Sequence, residues 1–170
     1  MHKRSGLLLS MCLACSTAGA VEHGVKVVSP ERFQLEAGAL SLGVSQDWRQ
    51  PLPHVTRVLI VVHGRLRNAQ TYLHSAEAAA EQAGQADTTL VIAPQFLNEA
   101  DAQRNHLDNR VLRWKGNEWM AGEPSTGADR VSSYGALDQL IEHLGDRRLF
   151  PALKEIVVAG HSGGGQVVQR

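Results

Sequence analysis

A chain of 170 residues, 43 % of them hydrophobic, is long enough to form one domain with a substantial core. Its 17 basic residues balance its 17 acidic ones, so there is no basic footprint for nucleic acid and no acidic tail. Only 5 % of residues are aromatic and 16 are glycine, which suits an Ala/Val/Leu-packed α/β domain better than a sandwich of sheets.

Residues 1–20 read as a signal peptide. His2, Lys3 and Arg4 form a basic start, residues 6–14 an apolar stretch, and Ala18-Gly19-Ala20 a small-residue cleavage site. Cleavage is expected between Ala20 and Val21, giving a secreted or periplasmic product. The apolar stretch is too short for a stable span, so no membrane segment is expected to remain; an uncleaved anchor is the competing reading. A lipid anchor at Cys15 fits poorly, because Cys12 stands where such motifs carry Leu. Cleavage removes both cysteines and both leading cations. The mature chain, residues 21–170, would then be mildly acidic, with no disulfide, no Cys nucleophile and no Cys-ligated metal.

Two or three short strands are expected over residues 25–44, with Ala37-Gly38 as a hairpin turn. Residues 50–54, with Pro51 and Pro53, should be an extended connector. Three runs apolar on both faces follow, at 58–62 (VLIVV), 90–93 (LVIA) and 156–159 (IVVA). A parallel sheet covered by helices requires such strands. Between them, residues 69–84 place Tyr72, Leu73, Ala76, Ala79, Ala80 and Ala83 on one helical stripe. Residues 131–144 do the same with Val131, Tyr134, Leu137, Leu140, Ile141 and Leu144, and Gly145 supplies a stop. The alternation predicts an α/β fold with a doubly wound, mostly parallel sheet.

The stretch from Gln95 to Asp129 is long for a connection, and such loops are usually functional or disordered. Its Trp114 and Trp119 would either wall a substrate pocket or sit half-buried in an ordered surface loop. Arg110, Arg113 and Lys115 nearby would favour an anionic substrate. His106, with Asp101 and Asp108 close in sequence, matches no metal-ligand spacing and reads as a solvated loop. No metal or cofactor is expected.

The chemistry concentrates at Gly160-His161-Ser162-Gly163-Gly164, a G-x-S-x-G motif between a buried strand and a segment able to start a helix. A serine in so tight a turn is strained, and side chains two residues to either side would clash; Gly160 and Gly164 relieve that crowding. The turn would lift the Ser162 hydroxyl clear of the sheet, above a helix N-terminus that favours developing negative charge. A plain glycine-rich turn is the bland alternative. A dinucleotide loop fails on spacing, since Val168 occupies the third glycine position counted from Gly163 and Gly165. His63-Gly64-Arg65 follows the first buried strand, and loops leaving a parallel sheet at its carboxyl edge share a binding site. The Arg65 and Gly163 backbone N–H groups could there form an oxyanion hole, each donor worth about 3 kcal/mol in the transition state.

Strand, H-G-x loop, helix, strand, helix, strand and G-H-S-G-G, in that order, resemble the α/β-hydrolase family over roughly residues 58–170. VVHGRLRNAQTY and VVAGHSGGGQVVQR are similar to segments of predicted secreted members. The resemblance implies that 58–62, 90–93 and 156–159 are the family's third, fourth and fifth strands, the third lying between the other two. It implies Ser162 as nucleophile, with Gly163 and Arg65 (Leu66 as the alternative to Arg65) as backbone oxyanion donors. The family's acid and histidine follow the serine, so they are expected beyond residue 170, and the 170-residue chain alone is expected to turn over little. The strand before Ser162 would be an edge apolar on both faces, an aggregation hazard, and the helix after it has fewer than two turns.

The other histidines are poor bases on this reading. His161 should point away from the hydroxyl and pack, His63 resembles the structural histidine of the H-G loop, and His74 and His143 lie in helices. The expectation is therefore a secreted serine hydrolase acting on a carboxylic ester, a small-molecule substrate, without nucleic acid as a partner. Peptidase and thioesterase chemistry would use the same parts. A non-catalytic binding module on the same scaffold is the alternative from another class.

Overall fold

The computed structural model describes residues 23–127 and 129–170; the expected signal peptide, with Cys12, Cys15 and the cleavage point, lies outside them. A hairpin opens the fold, β1 (Glu31–Leu35) and β2 (Gly38–Val44). Its turn is Glu36-Ala37 rather than Ala37-Gly38, because Gly38 (φ 142°) already pairs with Leu35 as the first residue of β2. After the connector come β3 (Arg57–Val62), α1 (Ala69–Gln82) and β4 (Thr89–Gln95). Next are β5 (Leu97–Asn98), α2 (Glu99–Arg104) and β6 (Arg113–Trp114). A 3-10 turn at Glu118–Ala121 leads to α3 (Ser133–Leu144), β7 (Glu155–Gly160) and the short α4 (Gly163–Val168).

The main sheet runs β1-β2-β4-β3-β7. Strands β4, β3 and β7 are parallel, and the β1–β2 hairpin joins antiparallel on the β4 side. The fold is therefore α/β with a parallel centre, and β3 lies between β4 and β7 as expected. Along β3 the side chains alternate. Val58, Ile60 and Val62 enter the larger core with Ala136, Leu137, Leu140 and Leu144 of α3. Leu59 and Val61 face the opposite side, where Ala69, Leu73 and Ala76 of α1 pack on Val91 and Ala93 of β4. One helix thus covers each face, which is why both faces of these strands are apolar. Strand β7 has no second neighbour among the described residues, and its side chains are only partly buried.

Helix α3 starts two residues later than its apolar stripe suggested. The Ser132 side chain caps it by accepting the Gly135 N–H at 2.9 Å, so Val131 falls outside. Residues 95–129 differ more. They fold into a small second sheet, β5 parallel to β6, with α2 between them. The local cause is a capping box. Asn98 accepts the Asp101 N–H at 2.9 Å, and Asp101 accepts the Asn98 N–H at 2.8 Å.

Candidate active site

The chain leaves β7 at Gly160 and enters α4 at Gly163, and the residue at the bend carries the strain. Ser162 has φ 56° and ψ −117°, a region that costs a non-glycine residue about 1–3 kcal/mol. Its side chain is exposed. The flanking glycines are obligatory for a steric reason. A Cβ on Gly160 would collide with the Gly164 carbonyl, and one on Gly164 with the carbonyl oxygens of Val62 and His63. Helix α4 therefore sits backbone to backbone against the end of β3.

That contact places the loop after β3 beside the bend. A Cβ on Gly64 would lie 3.5 Å from Ser162 Cβ, and one on Gly163 would lie 3.4 Å from Arg65 Cγ. His63 determines how the loop is presented. It is fully buried, and its Nε2 accepts the Phe96 N–H at 2.9 Å, so Nδ1 carries the proton and donates to the Gly64 carbonyl at 2.8 Å. The Arg67 N–H donates to the same carbonyl at 3.0 Å. In a planar trans peptide the N–H points opposite to the C=O, so two donors fixing the Gly64 carbonyl also aim the Arg65 N–H. Among the described residues neither that N–H nor the Gly163 N–H meets an acceptor. Burial lowers the His63 pKa from 6.5 to about 4, with smaller opposing effects from its hydrogen bond to Gly64, and the ring stays neutral in this tautomer at neutral pH.

Two side chains to which the sequence assigned no functional role hold the loop from behind. Arg67, at φ 56° and 4 % exposed, donates from Nε to Asp101 Oδ2 at 2.7 Å and from a terminal nitrogen to Oδ1 at 3.3 Å. It also donates to the Arg65 carbonyl at 3.1 Å. Asp101, fully buried, accepts the Val25 and Asn98 N–H groups as well. Gln95 ties the Arg67 carbonyl to the chain at Val27 and Ser29. Asp101 thus belongs to the core of this loop, not to a solvated loop with His106. The capping box at Asn98-x-x-Asp101 was its one legible signal.

No protein-family model and no curated protein matches the chain. It is similar to the solved structure of poly(aspartic acid) hydrolase-1 from Sphingomonas sp. KT-1, at 22 % identity and a TM-score of 0.46, over 88 % of this chain and 51 % of that one. The chain thus spans about half the length of that protein.

The remaining sequence-derived positions separate into those near the bend and those elsewhere. Trp114 and Trp119 do not line an open pocket, since both indoles are fully buried. Trp119 stacks on Phe96 and meets the His63 ring edge-on at 4.7 Å, while Trp114 donates to the Glu123 carbonyl. These large rings replace the solvent-facing wall expected of that segment with a buttress beneath His63. The segment touches the bend through Met120, whose Sδ occupies the space a Cβ on Gly163 would need. His161 is exposed rather than packed; its Nδ1 lies 3.4 Å from the Tyr72 hydroxyl, which borders Gly64. Arg110 and Arg113 flank a groove beside Gly38 of β2, away from β7, and Lys115 pairs with Glu118. His74 pairs with Glu77, and His143 packs between Phe33, Trp48 and Phe150. Among the described residues no three His, Cys, Asp or Glu side chains are grouped to hold a metal. No helix there is long and apolar enough to cross a membrane.

Proposed function

We propose that the chain forms the nucleophile side of an exported serine hydrolase of the α/β-hydrolase type that cleaves carboxylic esters. The observation carrying this reading is the strained, exposed Ser162 beside Gly64 of the H-G loop. Backbone strain at an exposed hydroxyl points to use. The order β4-β3-β7 around the two loops agrees with the resemblance. Ser162 Oγ attacks the ester carbonyl, and the carbonyl oxygen becomes an alkoxide held by the Arg65 and Gly163 N–H groups. The tetrahedral intermediate then collapses to an acyl-serine and expels the alcohol. A base must take the serine proton and return it to the leaving oxygen; the resemblance assigns this to a histidine oriented by an acid, both beyond residue 170. Export rests on the basic, apolar and small-residue pattern of residues 1–20 alone.

A fluorophosphonate probe tests the nucleophile in the full-length natural product. Labelling at Ser162, abolished in Ser162→Ala, is the expected result; labelling that persists in that variant overturns the reading. A non-catalytic binding module is the second reading. An acid followed by a histidine in the coding region downstream supports the enzyme, and their absence supports the module.

A further inference from the structure

We infer that the Arg65 side chain selects esters bearing a carboxylate close to the scissile carbonyl. The inference rests on the serine-hydrolase reading for where the carbonyl sits, and on independent facts for the cation. Arg65 is exposed, yet its stem does not run straight into solvent: Cγ lies 3.4 Å from the Cβ position of Gly163, with Met120 filling the adjacent space. From Cγ the guanidinium carbon is three bonds further, a reach of about 4 Å. That reach is enough to bring the charge to a group attached to Ser162.

This cation is also uncompensated. Arg49, Arg57, Arg67, Arg113 and Arg148 each pair with a carboxylate of the chain. Among the described residues Arg65 has no acidic partner within 4 Å and donates no side-chain hydrogen bond. The cations that the sequence offered for an anionic substrate, Arg110, Arg113 and Lys115, lie elsewhere or are paired. Arg65, by contrast, stands at the bend. A guanidinium presents a planar fork of donors that fits a carboxylate in two parallel hydrogen bonds, and partial exclusion of water by a bound substrate strengthens that pairing. Among the described residues no competing carboxylate has to be displaced. The proposed substrate is thus an acid monoester or a similar ester whose acyl part ends in a carboxylate.

Two measurements on the full-length natural product test this. The first compares kcat/KM for the p-nitrophenyl ester of succinate with that for its methyl-capped neutral analogue. The expected ratio is about tenfold in favour of the anion, as for hydrogen bonds to a charged group. It should fall to about one in Arg65→Gln, invert in Arg65→Glu, and shrink with added salt. The ratio cancels any common loss in both substrates. A wild-type ratio at or below one, or a ratio unchanged in Arg65→Gln, overturns the inference while leaving the nucleophile reading intact. The second measurement needs no turnover. An NMR titration of the Ser162→Ala protein with methyl hydrogen succinate should shift the Arg65 and Gly163 amides, roughly tenfold more tightly than dimethyl succinate. Binding without turnover in the wild-type protein would sink the hydrolase reading and keep the anion site; equal binding of the two compounds would sink the anion site.

Discussion

Replacing Asp101 with Asn tests whether the buried ion pair behind the loop holds the site together. The substitution keeps shape and volume but removes the Asp101 charge that pairs with Arg67, whose side chain is 5 % exposed against 0 % for Asp101. Both carboxylate oxygens are in use: Oδ1 accepts from Val25 and Arg67, Oδ2 from Asn98 and Arg67. An amide offers one acceptor and one donor in their place, so at least one buried N–H loses its partner and the buried guanidinium loses the Asp101 charge. Removing one member of such a pair costs about 3–5 kcal/mol. That is a large share of a stability on the order of 5–15 kcal/mol, and it corresponds to a fall in Tm of roughly 10 °C for a chain of this size. Urea denaturation followed by circular dichroism reads it as a lower midpoint at unchanged slope. Arg67→Met should cost a similar amount, and the double variant Arg67→Met/Asp101→Asn less than the two singles together, by about 1–3 kcal/mol of coupling. A loss below about 1 kcal/mol with no coupling would show a pair no stronger than an exposed one, and would refute the argument.

His63 should make stability fall on acidification. Its folded pKa of about 4 lies below the ordinary 6.5, so between these values the unfolded chain binds the proton first. The contribution is complete above pH 6.5 and is lost as pH falls towards 4, about 3 kcal/mol in all. His63→Gln should flatten that slope of unfolding free energy against pH; an equally steep slope in the variant counts against it. At the bend, Gly164→Ala should destabilise by about 3 kcal/mol, because its Cβ meets backbone oxygen of β3 that cannot move aside. Gly165→Ala, whose Cβ meets nothing closer than 3.5 Å, should be neutral or stabilise by about 0.5–1 kcal/mol. Thermal denaturation of the two variants side by side checks the contrast, and equal effects would undo the steric account.

The parts of the fold legible in the sequence are those where one physical demand dominates. Strands β3, β4 and β7 are buried on both sides and read as unbroken apolar runs, and α1 and α3 carry stripes at helical spacing. Gly160 and Gly164 stand out because the tight approach of α4 to β3 admits no side chain. The neighbouring of the H-G loop and the bend followed from both loops leaving one sheet edge. That β3 lies between β4 and β7 came from the family resemblance, since periodicity carries no strand order. The segment over residues 95–129 misled for the converse reason. Its burial is polar: Asp101 and Arg67 satisfy each other, and a string such as Asp101-Ala102-Gln103-Arg104-Asn105 looks the same whether solvated or paired inside. Trp114 and Trp119 were ambiguous alone; only the partners Phe96 and His63, distant in sequence, show that they are core.

Strain at Ser162 has to be held by something, and α4, with six residues, is too short to hold it by its own hydrogen bonds. The anchors are tertiary. Val167 is buried in the main core, and Gly164 touches the carbonyl oxygens of Val62 and His63. Strands β3 and β7 pair in register up to Val62 and Gly160, so both loops leave the sheet at the same height. The contact that keeps the serine in its strained turn is therefore made with the same two residues from which the H-G loop departs. A shift of α4 along β3 would relax Ser162 and separate it from the Arg65 N–H together. The hydroxyl and the donor loop are thus positioned by one backbone contact, and a substitution there should impair both at once.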